Sequence, residues 1–141
     1  MAAKVPARLD VVTFGVRGLP AVRSFYEALG WRTRSVGGEF DRFGIGGTIL
    51  ALYSLDALGD EAKMPPPRST KGFAGFTCAI VAQNEEMVDV AIELVREAGG
   101  RIFAEPAARE WGGRSGYLAD PEGNVWELSW MPNAPFDERA G

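Results

Sequence analysis

The chain has 141 residues, of which 46% are hydrophobic and 24% are charged, and its formal net charge is −4 at pH 7. This length suits a single domain, or two small modules that share a core, and it is sufficient to bury a core without disulfides. Acidic and basic residues are interspersed without a basic stripe, so we expect no nucleic-acid partner. No apolar run approaches the length that spans a membrane, so we expect no membrane partner.

Two residue counts narrow the possible chemistry. The one cysteine, Cys78, cannot form an intramolecular disulfide, which agrees with a reducing compartment. Residues 1–8 lack the apolar segment of a signal peptide, and we therefore expect a cytoplasmic protein. The chain has no histidine. Ser-His-Asp and Cys-His mechanisms are excluded, and the commonest transition-metal ligand is missing.

The first half of the sequence predicts a strand, a helix and three further strands. Alternating apolar residues predict a strand over 9–16. An apolar stripe at i, i+3, i+4 and i+7 then predicts a helix with Pro20 in its first turn and Gly30 at its end. The stripe consists of Val22, Phe25, Tyr26 and Leu29. The later strands are predicted over 32–36, 40–45 and 48–53.

Residues 54–72 differ in character from the segments around them. A short helix is predicted over 54–63, and the three prolines at 65–67 prevent its continuation. We interpret the segment as a connector that runs over the surface between two halves of the chain.

The second half of the sequence predicts the same order of elements. A strand is predicted over 73–81, and Asn84 is a good N-cap for the helix that follows. The apolar stripe of this helix consists of Val88, Ala91, Ile92 and Val95, and Gly99 and Gly100 end it. Another strand is predicted over 101–105. Two more lie within 111–130, where Asp120-Pro121-Glu122-Gly123 predicts a tight turn between them.

The two halves align as an internal repeat. Val16 before the first helix aligns with Val81 before the second, and residues 50–52 align with residues 126–128. The repeat predicts an α+β fold of two tandem βαβββ modules that form an open, incompletely closed barrel with the helices outside. The predicted single domain, 1–141, comprises module one at about 9–53, the connector 54–72, module two at about 73–130 and a tail at 131–141. We expect a ligand in the cleft between the modules.

The last predicted strand places one carboxylate, that of Glu127, on a face of small residues. Trp126 and Trp130 alternate with it, and we expect them to pack under a helix or at a subunit contact. Two roles for Glu127 remain open. It is either unused, exposed or paired with an arginine such as Arg114 or Arg42, or it is a buried acceptor for a donor or cation of a ligand.

Alternation along the strands predicts which side chains face the cleft. The face is mostly apolar and aromatic with a few hydroxyls, which suits a planar or hydrophobic small molecule. Trp111, beside Gly112 and Gly113, is a candidate lid over the mouth. Single aromatic residues are also compatible with a filled core, and Cys78 with a small buried apolar residue. The predicted cleft residues are Val11, Thr13, Ile49, Ala51, Tyr53, Phe76, Cys78, Ser115, Tyr117, Val125, Glu127 and Ser129.

Three segments of the sequence resemble the vicinal oxygen chelate superfamily, which includes glyoxalase I, the bleomycin-resistance proteins and the extradiol dioxygenases. They are Leu-Asp-Val-Val-Thr-Phe-Gly-Val at 9–16, Phe-Tyr-Glu-Ala-Leu-Gly-Trp at 25–31, and Gly-Arg-Ser-Gly-Tyr-Leu-Ala-Asp-Pro-Glu-Gly-Asn-Val-Trp-Glu-Leu at 113–128. The third is the most specific. The resemblance covers about residues 9–130 and is strongest for a subgroup of short glyoxalase-like proteins. It implies the paired-module fold and a homodimer.

The resemblance also implies where a metal would be held. The enzymes of this superfamily bind a divalent metal with four side chains, from the first and fourth strands of each module. Those positions are Val11, Ala51, Phe76 and Glu127 in this chain. Three of the four carry no ligand atom, whereas a catalytic metal usually needs about three protein ligands. We therefore expect no metal and no other cofactor.

Three functions follow from these observations. The favoured one is a metal-free glyoxalase-like or bleomycin-resistance-like protein that binds a small aromatic or hydrophobic molecule. The second is a lyase, isomerase or dioxygenase of the glyoxalase type, with a non-standard metal site or with Glu127 as base and Tyr117 as acid. The third is an interaction module with a filled cleft. The predicted ligand-binding residues are Val11, Thr13, Ala51, Tyr53, Phe76, Cys78, Trp111, Ser115, Tyr117 and Glu127.

Overall fold

The computed structural model describes residues 4–35, 40–65 and 72–132. The chain divides into two compact units, Met1–Arg68 and Ser69–Gly141. The boundary between the units lies within the predicted connector, 54–72. The predicted tail beyond residue 132 lies outside the described residues, and the way in which the two modules meet stays a prediction.

Unit 1 contains a four-stranded mixed sheet and two helices. Its strands lie in the order β1-β4-β3-β2, with β1 parallel to β4 and the other pairs antiparallel. The predicted strand 40–45 is confirmed, whereas the first strand begins at Val11 rather than at residue 9. The elements are β1 (Val11–Val16), α1 (Leu19–Ala28), β2 (Thr33–Ser35), β3 (Phe40–Ile45), β4 (Thr48–Ser54) and α2 (Leu55–Ala62).

Unit 2 repeats this arrangement. Its strands lie in the order β5-β8-β7-β6, again with the first strand parallel to the last. The predicted α+β class and the predicted tandem βαβββ modules are therefore confirmed. The elements are β5 (Cys78–Val81), α3 (Glu85–Glu97), β6 (Arg101–Ala108), β7 (Arg114–Ala119) and β8 (Val125–Trp130).

The core of unit 1 lies between α1 and one face of its sheet. The Tyr26 ring of α1 stacks on Trp31, with centroids 5.2 Å apart, and its centroid lies 5.7 Å from that of Phe43 in β3. Phe43 pairs with Leu50, and both are fully buried. The predicted helix stripe is therefore the buried face of α1, and Gly30 ends the helix with a φ of 93°, which glycine adopts without strain.

Helix α2 packs on the opposite face of the same sheet. A β-carbon at Gly15 would lie 2.7 Å from Cδ1 of Leu55 and 3.2 Å from Cδ2 of Leu58, so the absence of a side chain at Gly15 permits this close approach. Tyr53 pairs with Gly15 and shares this face. The first part of the predicted connector therefore covers one end of the face that was predicted to line the cleft.

In unit 2, α3 packs on its sheet through Val88, Ile92 and Val95, which are buried. The predicted N-cap is confirmed, because Asn84 Oδ1 accepts a hydrogen bond of 2.8 Å from the backbone N–H of Met87. A β-carbon at Gly116 would lie 3.1 Å from Ile92 Cδ1, which places α3 on the face of β7 that carries Gly116. The side chains of α3 thus fix which face of the sheet remains for a site.

The observed register of β5 differs by one residue from the alignment that the repeat predicted. Cys78 pairs with Trp126 and Ala79 pairs with Glu127, and directly paired residues share a face of the sheet. The predicted position of Cys78 on the face of Glu127 is therefore wrong. A shift of one residue moves every side chain of a strand to the other face. In unit 1 the equivalent pair is Thr13 with Ala51, so Ala79 is the counterpart of Thr13.

Candidate functional site

The turn between β7 and β8 is held by Asp120. Its Oδ1 accepts from the backbone N–H groups of Glu122, at 2.9 Å, and Asn124, at 3.0 Å, while Oδ2 accepts from Asn124 Nδ2 at 2.9 Å. The backbone N–H of Gly123 donates to Asp120 O at 3.0 Å, with a φ of 91° at Gly123. The predicted turn is confirmed. Both carboxylate oxygens of Asp120 stabilise it, which fixes the pairing of the two strands that carry the site.

Glu127 and Tyr117 form a hydrogen-bonded pair on the face opposite α3. They are register partners in β7 and β8, and the Tyr117 hydroxyl donates to Glu127 Oε2 at 2.8 Å. Arg114, one of the predicted partners of Glu127, instead donates to Asp89 of α3 at 2.9 Å. Because the single Tyr117 proton points at the carboxylate, the phenol oxygen offers only lone pairs to any further group.

The hydrogen bond to Glu127 is the main cause of a raised pKa at Tyr117, and burial and the Glu127 charge act in the same direction. Arg109 acts in the opposite direction. Since the pKa is higher in the folded state, protonated Tyr117 contributes stability that is fully present below its ordinary pKa of about 10. That stability is lost as the pH rises through the folded-state value.

We expect Tyr117 to titrate above the ordinary tyrosine pKa of about 10, and Glu127→Gln to move its pKa downward, because the carboxylate that accepts the proton is gone. Absorbance of tyrosinate, recorded as a difference between wild type and Tyr117→Phe, separates this residue from Tyr26 and Tyr53. A wild-type Tyr117 that ionises at or below about 10 would contradict the expectation.

Arg109 is a site residue that the sequence did not suggest. Its Nε donates to Ser115 Oγ at 2.8 Å and its Nη2 donates to Ser115 O at 2.9 Å, which holds the guanidinium carbon 6.0 Å from the centroid of the Tyr117 ring. Ser129 pairs with Ser115 and is buried. Arg109 lies just after β6, where no periodic pattern operates; only the pairing of β6 with β7 reveals its position.

Trp111 packs on its own hairpin. The backbone N–H of Arg109 donates to Gly113 O at 2.8 Å and that of Gly112 donates to Arg109 O at 3.0 Å, so the loop between β6 and β7 is tightly closed. The Trp111 indole lies directly over Gly113, where a β-carbon would overlap it. Trp111 is outside the groove described next, and its predicted role as a lid over a cleft between modules stays a prediction.

Unit 2 contains an open groove on the face of Tyr117, with a volume of about 1010 Å³. Two aromatic side chains that line it are largely exposed, Phe73 at 66% and Phe103 at 53%. The guanidinium carbon of Arg101 lies 4.9 Å from the centroid of the Phe103 ring. The groove therefore combines exposed aromatic surface with one stacked cation and the hydroxyl of Tyr117. Its principal lining residues are Phe73, Thr77, Arg101, Phe103, Tyr117 and Val125.

A bulge in β6 places two consecutive residues, Phe103 and Ala104, along the groove. Ile102 pairs with Leu118, but the next pair along is Ala104 with Tyr117, so Phe103 is an extra residue in the ladder. A bulge of this kind bends a strand and re-aims its side chains. Phe103 and Ala104 both line the groove as a result. The sequence predicted a strand here and carried no signal for its irregularity.

The predicted site residues fall into separate groups. In unit 1, Val11, Thr13, Ala51 and Tyr53 share one face of the sheet, as their register partners show. In unit 2, Glu127 lies on the same face as Tyr117, Ser115 and Val125, as predicted. Phe76 precedes β5 rather than lying in the predicted strand 73–81, and it is 55% exposed. Whether the faces of the two units form one cleft stays a prediction.

The residues at the metal positions of the superfamily do not fit a divalent metal. Val11, Ala51 and Phe76 carry no donor atom, and Glu127 accepts the Tyr117 proton. The register of β5 makes Thr77 the counterpart of Val11, and threonine is outside the usual Cys, His, Asp and Glu donors. Within 4–35, 40–65 and 72–132, no three such donors lie close enough to share an ion.

The tandem modules and the β7–β8 strand pair define the class of this protein as vicinal oxygen chelate. The sequence model of the Glyoxalase/Bleomycin resistance protein/Dioxygenase superfamily matches residues 8–128. The chain belongs to this superfamily, and the predicted membership is confirmed. A search of curated proteins gave no match.

Solved structures share the fold. A glyoxalase-related enzyme from Fulvimarina pelagi is 26% identical, with a TM-score of 0.81 over 90% of this chain and 90% of that chain. A glyoxalase/bleomycin resistance protein/dioxygenase from Nocardioides is 23% identical, with a TM-score of 0.79 over 94% and 88%. A lactoylglutathione lyase from Agrobacterium tumefaciens is 20% identical, with a TM-score of 0.65 over 90% and 96%. Similarity at this level of identity supports the fold and leaves the activity open.

Among the helices in the described part of the chain, none is both long and apolar enough to cross a membrane.

Proposed function

We propose that this protein binds a small, flat aromatic molecule in the groove of unit 2 and does so without a metal. The observation that supports the proposal most is the exposure of Phe73 and Phe103 along the walls of the groove, beside Tyr117. Aromatic side chains that remain exposed around a concavity offer stacking surface and apolar area to a ligand. The name bleomycin resistance protein, borne by part of the superfamily, is compatible with binding as a function in its own right.

The groove proposed here differs from the predicted cleft in the residues that line it. Phe103, Phe73 and Arg101 line the groove, whereas Phe76 and Cys78 do not, and the register of β5 places Cys78 on the face opposite Glu127. A cytoplasmic location and a homodimeric assembly remain part of the proposal, on the strength of the sequence and the family resemblance. Neither is needed for the groove, whose lining residues all belong to unit 2.

Phe103→Ala is expected to weaken binding of the fluorescent probe 2-naphthol about tenfold, because it removes one stacking wall of the groove. Phe76→Ala is the matched control: Phe76 is exposed to the same degree, 55% against 53% for Phe103, but is not part of the groove. Titration of probe fluorescence with the full chain gives both dissociation constants. Loss of binding with Phe76→Ala instead would favour the cleft predicted from the sequence, and absence of 2-naphthol binding to wild type would overturn the proposal.

A second candidate is an enzyme of the glyoxalase type that uses Glu127 as a base. The observation in its favour is the Tyr117–Glu127 hydrogen bond of 2.8 Å, which holds a carboxylate beside a proton carrier. The raised pKa of Tyr117 works against its predicted role as an acid, since the hydroxyl holds its proton more tightly. Metal analysis of the purified protein tests the metal-dependent form of this candidate: stoichiometric Zn, Ni, Mn or Fe would support it and would contradict our view of the donor set.

A further inference from the structure

The groove contains an arginine, Arg101, whose guanidinium lies over an aromatic ring. The Arg101 guanidinium carbon lies 4.9 Å from the Phe103 ring centroid, and the side chain is exposed. Two other arginines of unit 2, Arg96 and Arg114, form ion pairs with Glu105 and Asp89. No such pair with a described carboxylate is found at Arg101. A guanidinium carries its N–H donors in a planar fork, which binds a carboxylate by two parallel hydrogen bonds.

Two carboxylates of the nearby turn, those of Asp120 and Glu122, also line the groove, and no ion pair between either of them and Arg101 is found in the described part of the chain. Asp120 lines the groove, but its oxygens accept three hydrogen bonds from Glu122 and Asn124 within the turn. An anion that enters the groove therefore meets a guanidinium that no described carboxylate pairs with, on a chain whose formal net charge is −4. The charges near the groove, rather than the net charge of the chain, decide whether an anion or a cation binds there. At ordinary salt, charges more than about 10 Å away are largely screened.

Tyr117 supplies a hydrogen-bond acceptor, whereas Arg101 supplies donors. Its hydroxyl proton is donated to Glu127, so the phenol oxygen accepts and does not donate toward the groove. A ligand hydroxyl or amine that donates to this oxygen extends a chain of hydrogen bonds that ends on a carboxylate, which strengthens each bond in the chain. The groove thus presents a donor pair at Arg101 and an acceptor at Tyr117.

The spacing of these two groups sets the length of the ligand. Arg101 pairs with Ala119, which lies two residues along β7 from Tyr117 on the same face of the sheet. Two residues of a strand span about 7 Å. One or two fused aromatic rings bridge such a distance, with a substituent at each end and their faces toward Phe103.

We infer that the ligand of this groove is a flat aromatic anion with a hydrogen-bond donor at its other end. Its carboxylate or similar acidic group lies on the edge of the Arg101 guanidinium, and its hydroxyl or amine donates to Tyr117. This assignment rests on the groove being the binding site proposed above, and it adds the charge and the polarity of the two ends of the ligand.

Three naphthalene probes test the assignment on the full chain. The first, 6-hydroxy-2-naphthoate, carries both groups; 2-naphthol lacks the anion and 2-naphthoate lacks the donor. We expect 6-hydroxy-2-naphthoate to bind at least about tenfold more tightly than 2-naphthol, as a charge-assisted contact predicts. Arg101→Gln should abolish that preference. Arg34→Gln, at an exposed arginine of unit 1, is the matched control and should change neither affinity.

Tyr117→Phe tests the other end of the ligand. It should abolish the advantage of 6-hydroxy-2-naphthoate over 2-naphthoate and leave the dependence on Arg101 intact. If 2-naphthol binds and depends on Phe103, but the carboxylate gives no preference or the preference survives Arg101→Gln, the anion assignment is overturned and the proposed groove stands. If none of the probes binds to the wild type, the proposed function fails together with the assignment.

Discussion

Alanine at position 113 is expected to cost about 3 kcal/mol of stability, the upper part of the range for overpacking a close-packed position. A β-carbon at Gly113 would overlap two groups, the Trp111 indole and the carbonyl oxygen of Trp130. The indole can rotate away. The Trp130 carbonyl cannot, because Trp130 is the register partner of Arg114 in the ladder between β7 and β8. Relief therefore requires the strands to separate where they carry the site. Urea unfolding of the purified variant measures the loss.

Two further variants test whether the loss of stability in Gly113→Ala comes from the overlap of the added β-carbon. Gly44→Ala replaces a glycine of β3 that has nothing within 4 Å of the added carbon, and it should change stability by no more than about 0.5 kcal/mol. Trp111→Ala combined with Gly113→Ala relieves only the indole contact, so most of the loss should remain. Stability of Gly113→Ala within about 1 kcal/mol of the wild type would show that the hairpin accommodates the carbon without strand separation.

The Gly113→Ala substitution should also change the pKa of Tyr117. The backbone N–H of Arg109 donates to Gly113 O at 2.8 Å, and Arg109 in turn donates to Ser115. A displaced hairpin would move the guanidinium away from the Tyr117 ring. Because Arg109 lowers the pKa of Tyr117 in the wild type, its removal should raise that pKa further in any folded Gly113→Ala protein. The hairpin loop is therefore coupled to the site although it does not line the groove.

The parts of the fold that the sequence predicted well are those set by local chemistry. The turn at 120–123 depends on proline, glycine and an aspartate that bonds its own backbone, all within five residues. The N-cap at Asn84 depends on one side chain and an N–H three residues away. Glu127 lies opposite Tyr117 because of this turn, whose length fixes which residues pair across β7 and β8.

The parts that the sequence missed depend on contacts between distant residues. The predicted strand 73–81 is shortened to Cys78–Val81, and its register is set by β8, about 48 residues later in the chain. Nothing in the alternation of 73–81 distinguishes the two possible faces. The bulge at Phe103 and the position of Arg109 likewise arise from the pairing of β6 with β7. Of the groove residues, Tyr117 and Val125 were predicted by alternation, whereas Phe73, Arg101 and Phe103 were not among the predicted cleft residues.

The dependence on contacts between distant residues limits prediction of the site more than prediction of the fold. The fold needs only apolar residues at roughly correct intervals, and both units have them on the faces toward α1 and α3. The site needs particular side chains at one place, and a shift of one residue exchanges Cys78 for Ala79 beside Glu127. The predicted pair of Tyr117 and Glu127 lies on neighbouring strands joined by a short turn. Cys78 is the first residue of β5, a short strand at the edge of its sheet, and Phe76 precedes that strand, where register has no local determinant.

Removing the charge of Arg23 is expected to cost about 3 kcal/mol, because it leaves a buried carboxylate without its cation. Arg23 of α1 donates from Nε to Asp41 Oδ2 of β3 at 2.5 Å, and the Asp41 side chain is only 1% exposed against 31% for Arg23. Arg23→Met keeps most of the aliphatic length and removes the guanidinium. Asp41 must then remain charged without a partner, take up a proton or draw water into the interface between α1 and the sheet.

The matched control is a pair of the same two residue types on the surface of unit 1. Arg8 and Asp10 lie 3.0 Å apart with side chains 68% and 65% exposed, so Arg8→Met should cost no more than about 1 kcal/mol. The double variant Arg23→Met/Asp41→Leu removes both buried charges and should recover most of the stability lost by Arg23→Met alone, since an apolar pair of similar volume often replaces a buried ion pair without loss. Urea unfolding of the four proteins, including the wild type, gives the comparison. A cost for Arg23→Met no greater than that for Arg8→Met would mean that solvent reaches Asp41, and α1 would then be held to its sheet by the Tyr26 and Phe43 contact rather than by the ion pair.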